Sequence, residues 1–102
     1  MTPDGLLNEF VRHMRAEKGL SPRTWQSYAY QIKGYIGFLQ SRRRIPTNSI
    51  REFVTAYLEQ LKERGLKSAS IFAAAIAIRQ FHRYLLERRY ATNDPTAGMC
   101  LP

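Results

Sequence analysis

The sequence predicts an all-α fold, a compact bundle of four helices, on three observations. Apolar residues recur at three- and four-residue spacing in four separate stretches. Start and stop residues for helices fall between those stretches. The chain has 102 residues, of which 44% are hydrophobic, enough to bury one core as a single domain without disulfides or metal.

The first helix is predicted over about Asp4 to Lys18, on the stripe Leu7, Phe10, Val11 and Met14, with Gly19 as its stop. The second opens on Ser21 and Pro22, an N-cap residue and a proline suited to the first helical position, and runs to about Gln40. Its stripe is the longest in the chain: Trp25, Tyr28, Ile32, Tyr35, Ile36 and Leu39. Gly34 and Gly37 inside it each cost roughly 1 kcal/mol against alanine, so both are expected where a neighbouring helix comes close.

SRRRIPTNS then reads as a loop, and Ser49 with Glu52 as a capping box for the third helix, whose stripe is Ile50, Phe53, Val54, Tyr57, Leu58 and Leu61. Gly65 ends it. Ser68 is the expected cap of the fourth helix, about Ala69 to Arg88, on Ile71, Ala75, Ile78, Phe81 and Leu85. Phe72, Ile76 and Tyr84 broaden that stripe, so the fourth helix is expected to be the most buried, with the others packed round it. The run Ala73 to Ala77 reads as close helix packing, and ATNDPTAGMCLP as a linker leaving the domain.

Sixteen Lys and Arg against eight Asp and Glu give a formal charge of +8, and the pI is about 10.2. Such a surplus suits a polyanion, nucleic acid or an anionic membrane. No apolar run is long enough to span a bilayer, and the N-terminus carries no basic-then-apolar signal pattern, so a cytoplasmic protein is expected. Cys100 is the single cysteine, which excludes an internal disulfide and cysteine-based metal spacing and fits a reducing compartment.

The charges are unevenly placed. Seven basic residues and no acid lie between Glu17 and Glu52, and Arg64, Lys67, Arg79 and Arg83 lie between Glu63 and Glu87 without an acid. The second and fourth helices are therefore free of negative charge along most of their length, whereas solvated surfaces normally mix both signs. Their starts also match in kind: Ser21, Arg23, Thr24 and Ser27 on one, Lys67, Ser68 and Ser70 on the other. An arginine in a first turn runs against the helix dipole. The plain reading is a Ser21 cap beside a solvated Arg23. The functional one is that a phosphate supplies the absent anion, with Thr24 and Ser27 reaching base edges in a major groove. Double-stranded DNA is favoured over a single strand, because Trp25, Tyr28, Tyr35, Phe53, Tyr57 and Phe81 fall on core-facing stripes. Arg42 to Arg44 read as a solvated basic loop, with phosphate contact as the alternative.

The motif order resembles the N-terminal core-binding domain of the tyrosine recombinases, the phage integrase and Xer-type family, with its SAM-like helical fold. The carriers are LSPRTWQSYAYQIKGYIGFL, IREFVTAYLEQLKERGLKSASI and IRQFHRYLLERRYATNDPTAG, together covering about Leu6 to Thr96. The resemblance implies a four-helix SAM-like bundle over residues 1–92, leaving room for a short extra C-terminal helix, and a linker at 93–102 toward a catalytic domain absent from this chain. It implies one half of a clamp around a recombination site, with the starts of the second and fourth helices facing duplex DNA. Carried over by position, Ser21, Thr24, Ser27, Ser68 and Ser70 are the contacts, supported by Arg23, Lys67 and Arg79. Two positions depart: Gln31 stands where the family often has Asp, and Ala74 where it often has Arg, so a contact through that arginine is missing.

Family catalysis uses a tyrosine nucleophile with arginine, lysine and histidine-type groups on the separate domain. His13 and His82 are isolated on helices, and no P-loop, zinc spacing or Ser, His, Asp arrangement is present, so the chain alone is expected to be no enzyme and to need no cofactor or metal. The expected partners are duplex DNA and other recombinase protomers assembled on it, the isolated domain being monomeric. Two other classes stay open: a helix-turn-helix transcriptional regulator, suggested by ERGLKSAS, and a SAM-like protein-interaction module docking an acidic partner. The apolar run FAAAIAI opposes the first, since a recognition helix needs a polar face near its start.

Overall fold

The structure, a computed structural model, describes residues 1–99. It contains α1 (Pro3–Ala16), α2 (Pro22–Ser41), α3 (Arg51–Glu63) and α4 (Ser68–Glu87), with a short 3-10 turn at Pro46–Asn48 and no strand among the described residues. The all-α, four-helix expectation holds.

α1 begins where Thr2 Oγ1 accepts from the Gly5 N–H at 3.0 Å, with Asp4 in its first turn complementing the dipole. It stops two residues short of the predicted end, because Lys18 N–H bonds back to His13 O and Gly19 takes φ +63°, turning the chain so that Leu20 N–H reaches Met14 O. Gly65 plays the same part after α3, at φ +84°.

Two predicted caps are not made. Ile50, not Ser49, is the N-cap of α3; Ser49 is buried and its Oγ lies 2.8 Å from Tyr35 Oη. A buried tyrosine hydroxyl without a partner costs about 1–3 kcal/mol, more than the roughly 1 kcal/mol of a cap, so the capping box yields Ser49 to the core. Ser68 is the first residue of α4 rather than its cap; Lys67 is the N-cap and no side chain closes that end.

α2 is the element the others approach, packing on α1, α4 and, near Gly34, on α3. A Cβ at Gly34 would stand 2.6 Å from the Tyr57 hydroxyl, whereas one at Gly37 would meet nothing within 4 Å. Close packing thus explains the first glycine and not the second. α4 carries the largest buried set, Ala74, Ala75, Ala77, Ile78, Phe81, His82, Tyr84 and Leu85, as predicted, and packs on α2 and α3. Phe10 of α1 ties it in, its ring 5.2 Å from that of Phe81 in an edge contact. Phe72 departs from expectation: it is 45% exposed, on the side of α4 turned from the core.

Residues 91–99, read from sequence as the linker's beginning, lie against this body, with Ala91, Pro95 and Thr96 buried. Asp94 Oδ1 accepts from Thr96 N–H and Thr96 Oγ1, at 2.8 and 2.6 Å. The segment forms turns, and no further helix follows α4 among the described residues. Cys100 lies outside them. No described helix is long and apolar enough to cross a membrane.

Candidate nucleic-acid interface

The starts of α2 and α4 share a local structure that α1 lacks. Ser21 is the N-cap of α2, as predicted, but its hydroxyl meets Thr24 Oγ1 at 3.1 Å and closes no backbone N–H. The backbone N–H groups of Thr24 and Trp25 return to Ser21 O, which leaves the Arg23 N–H outside the helical ladder. At α4 the ladder starts with Ser70 and Ile71 bonding to Lys67 O, leaving the N–H groups of Ser68 and Ala69 free of it. Neither first turn contains an acid. α3 also lacks a side-chain cap, but Glu52 sits in its first turn.

Ser21, Arg23, Ser27, Lys67 and Ser68 are exposed, and Thr24 and Ser70 half-buried. On α2, Thr24, Ser27 and Gln31 are spaced three and four residues apart and so form one line along the helix. That line runs into a groove of about 420 Å³ between α2, the end of α3 and the beginning of α4, where Gln31 and Ser70 both contribute to the wall. The fold therefore brings Ser70 next to the α2 line. It does not bring Arg79 there: Arg79 is half-buried about 16 Å along α4 from Ser68, and its Nη2 donates to Met99 O at 2.8 Å. Arg79 thus holds the packed tail through a backbone carbonyl.

Among the described residues no Lys or Arg lies in an ion pair with a carboxylate. The one close pair is His13 Nδ1 with Glu17 Oε2 at 2.9 Å, without the alignment of a hydrogen bond. Some cations are occupied by aromatic faces instead: Arg15 over Trp25 at 4.6 Å, Arg42 over Phe38 at 4.6 Å and Arg44 over Phe53 at 4.9 Å. In the basic loop only Arg43, at φ +59°, is left without such a neighbour.

The buried polar groups form a separate set. Tyr35 Oη lies 2.8 Å from both Ser49 Oγ and His82 Nε2. Burial pushes His82 down to about 4, a drop that the Asp94 charge partly opposes, and burial pushes the Tyr35 hydroxyl up. His82 is thus neutral, and its Nδ1 has no partner among the described residues. Leaving a bare acceptor there costs less than leaving an N–H, which favours His82 Nε2–H donating to Tyr35 and Tyr35 donating to Ser49. This is a sealed structural network rather than a reactive one. No group of three His, Cys, Asp or Glu among the described residues is arranged to hold a metal ion.

The family model for the phage integrase N-terminal, SAM-like domain matches residues 7–89. The chain belongs to that family. Its relatives are tyrosine recombinases: it is 36% identical to the tyrosine recombinase XerD of Halalkalibacterium halodurans, over 99% of this chain and 34% of that protein. It is 32% identical to the XerD of Rhizobium meliloti, over 91% of this chain and 30% of that protein, and 28% identical to that of Oceanobacillus iheyensis, over 94% and 33%. The chain spans about a third of the length of these relatives. No solved structure matches it.

Within this integrase-type SAM-like domain, the missing arginine at position 74 has a structural counterpart. Ala74 is 0% exposed and faces the core, so that position presents nothing to a ligand here. Burial of Ala74, Ala75, Ala77 and Ile78 also means that α4 offers its start, and not its whole length, to a groove. That speaks against a helix-turn-helix recognition helix. Sequence reasoning missed two groove residues. Gln31 has a readable spacing from Thr24 and Ser27, and Tyr30, 77% exposed, lies off the apolar stripe, so its exposure is legible in the sequence while the groove beside it, built with α3 and α4, is not.

Proposed function

We propose that this chain binds double-stranded DNA as the core-binding part of a tyrosine recombinase, holding one side of the recombination site while a catalytic domain holds the other. The observation that carries the reading is the pairing state of the cations: sixteen Lys and Arg, none in an ion pair with a carboxylate among the described residues, beside two helix starts that are acid-free and uncapped by side chains. Phosphate is the anion that suits such ends.

In this reading Ser21, Thr24, Ser27, Ser68 and Ser70 contact the duplex, with Arg23 and Lys67 supplying charge. Arg79 acts from behind, holding the tail. Residues beyond the packed segment connect to the catalytic part. That part performs the strand cleavage in the cytoplasm, and the chain alone performs none. Other protomers join on the same DNA, to serve site-specific recombination or integration.

The test is a titration of the isotope-labelled chain with a short random duplex at low and then higher salt, followed by amide shifts. Shifts centred on residues 21–27 and 67–70 that fade with salt support the reading. If the duplex leaves those amides unmoved, the clamp reading fails and an acidic protein partner takes its place.

A further inference from the structure

The groove where α2, α3 and α4 meet is more differentiated than a phosphate-binding surface requires. Its floor is Tyr57 and Leu61, both buried; exposed Tyr30, Lys33 and Arg64 form the rim; Gln31 and Ser70 stand half-buried between. Lys33 and Arg64 are the groups that phosphate oxygens would select, because a phosphate presents only acceptors. Gln31 adds something different, a donor and an acceptor side by side. That pair matches the N6 and N7 edge of adenine in a major groove.

Position reinforces chemistry. Gln31 continues the line of Thr24 and Ser27, and from Thr24 to Gln31 the helix rises about 10 Å, roughly three base-pair steps. Gly34, the next residue on that line, adds no side chain beside Gln31, its Cβ position being taken by the Tyr57 hydroxyl.

We infer that Gln31 is a specificity-determining residue, reading an adenine from α2 while Lys33 and Arg64 hold the flanking phosphates. This rests on the DNA-binding reading above and adds to it a base preference located at one side chain.

Selection of duplexes from a randomised library by the whole chain tests it, run in parallel with Gln31→Ala and Gln31→Glu. The wild type is expected to enrich an adenine at one position by roughly tenfold. Gln31→Ala flattens that position alone. Gln31→Glu, which can only accept, moves it to cytosine, whose N4 donates. Replacing the enriched adenine with 7-deazaadenine, which lacks the N7 acceptor, weakens the wild type and not Gln31→Ala. Identical motifs from wild type and Gln31→Ala overturn the inference and leave DNA binding standing, as does wild-type retention of duplex with no base preference. If the wild type retains no duplex at low salt, the DNA-binding reading itself falls, and this inference with it. Circular dichroism of both variants separates lost readout from lost fold.

Discussion

Serine and arginine occur in two regions of this domain and behave differently in each. At the starts of α2 and α4, Ser27 and Ser68 are exposed and Arg23 and Lys67 stand outside any ion pair. Where the 3-10 turn, α4 and the tail come together, Ser49 is locked to Tyr35, Arg51 donates to Ala97 O at 2.6 Å, and Arg79 donates to Met99 O. The same side chains are partnered by the protein in one region and offered to solvent in the other. Residue type therefore says little about role. What separates the two is whether the fold brings an acceptor within reach: the buried Tyr35 hydroxyl needs a partner, and the tail carbonyls of Ala97 and Met99 lie where Arg51 and Arg79 can donate to them.

The comparison breaks first with acid. His82 titrates near 6.5 when unfolded and at about 4 when folded. The unfolded chain therefore binds the extra proton, and stability present above pH 6.5 is lost as pH falls toward 4. That loss is roughly 3 kcal/mol from this one group. Urea midpoints at pH 7, 5.5 and 4 measure it, and the ring shifts of His82 should show a largely neutral ring at pH 5. A His82 that titrates near 6.5 would mean the network is open to water.

Charge reversal strikes the other region. Arg23→Glu with Lys67→Glu should weaken binding to a random duplex by about a hundredfold at low salt and reduce the salt slope by about two, while thermal unfolding stays close to wild type. Anisotropy titrations at several salt concentrations decide it; an unchanged slope would remove both residues from the phosphate contacts.

Arg79→Ala and Arg23→Ala sharpen the contrast between two arginines that sequence placed together. The first should cost about 1 kcal/mol of stability and speed amide exchange in the packed tail, with duplex affinity changed less than about twofold. The second should do the reverse. Equal losses of affinity from both would return Arg79 to the interface.

The smallest effect concerns the glycines. Gly37→Ala meets open space and should stabilise the domain by up to about 1 kcal/mol, whereas Gly34→Ala drives a Cβ into the Tyr57 hydroxyl and should not. Paired thermal melts read the difference.

Helix positions were readable to within about two residues at each end, because they depend on local signals: apolar spacing, Pro22, Gly19 and Gly65. The acid-free character of α2 and α4 was equally visible, since charge is a property of the chain. Two assignments failed for one shared reason. Ser49 as a cap and Phe72 as a core residue follow from their neighbours in sequence, and each was decided by something distant: Tyr35 fourteen residues away, and the direction from which α2 and α3 pack on α4.

Four amphipathic helices, their cationic surplus and two helix starts without acids are legible in the order of residues alone. Periodicity and charge act over a few residues and survive any arrangement of the helices. Which hydroxyls and cations remain free, that Gly34 and not Gly37 is a packing requirement, and that Gln31 and Ser70 share one groove were settled by how the helices meet. Those outcomes depend on long-range approach, where the cost of an unpaired buried polar group outweighs the modest local preference for a cap or a solvated side chain.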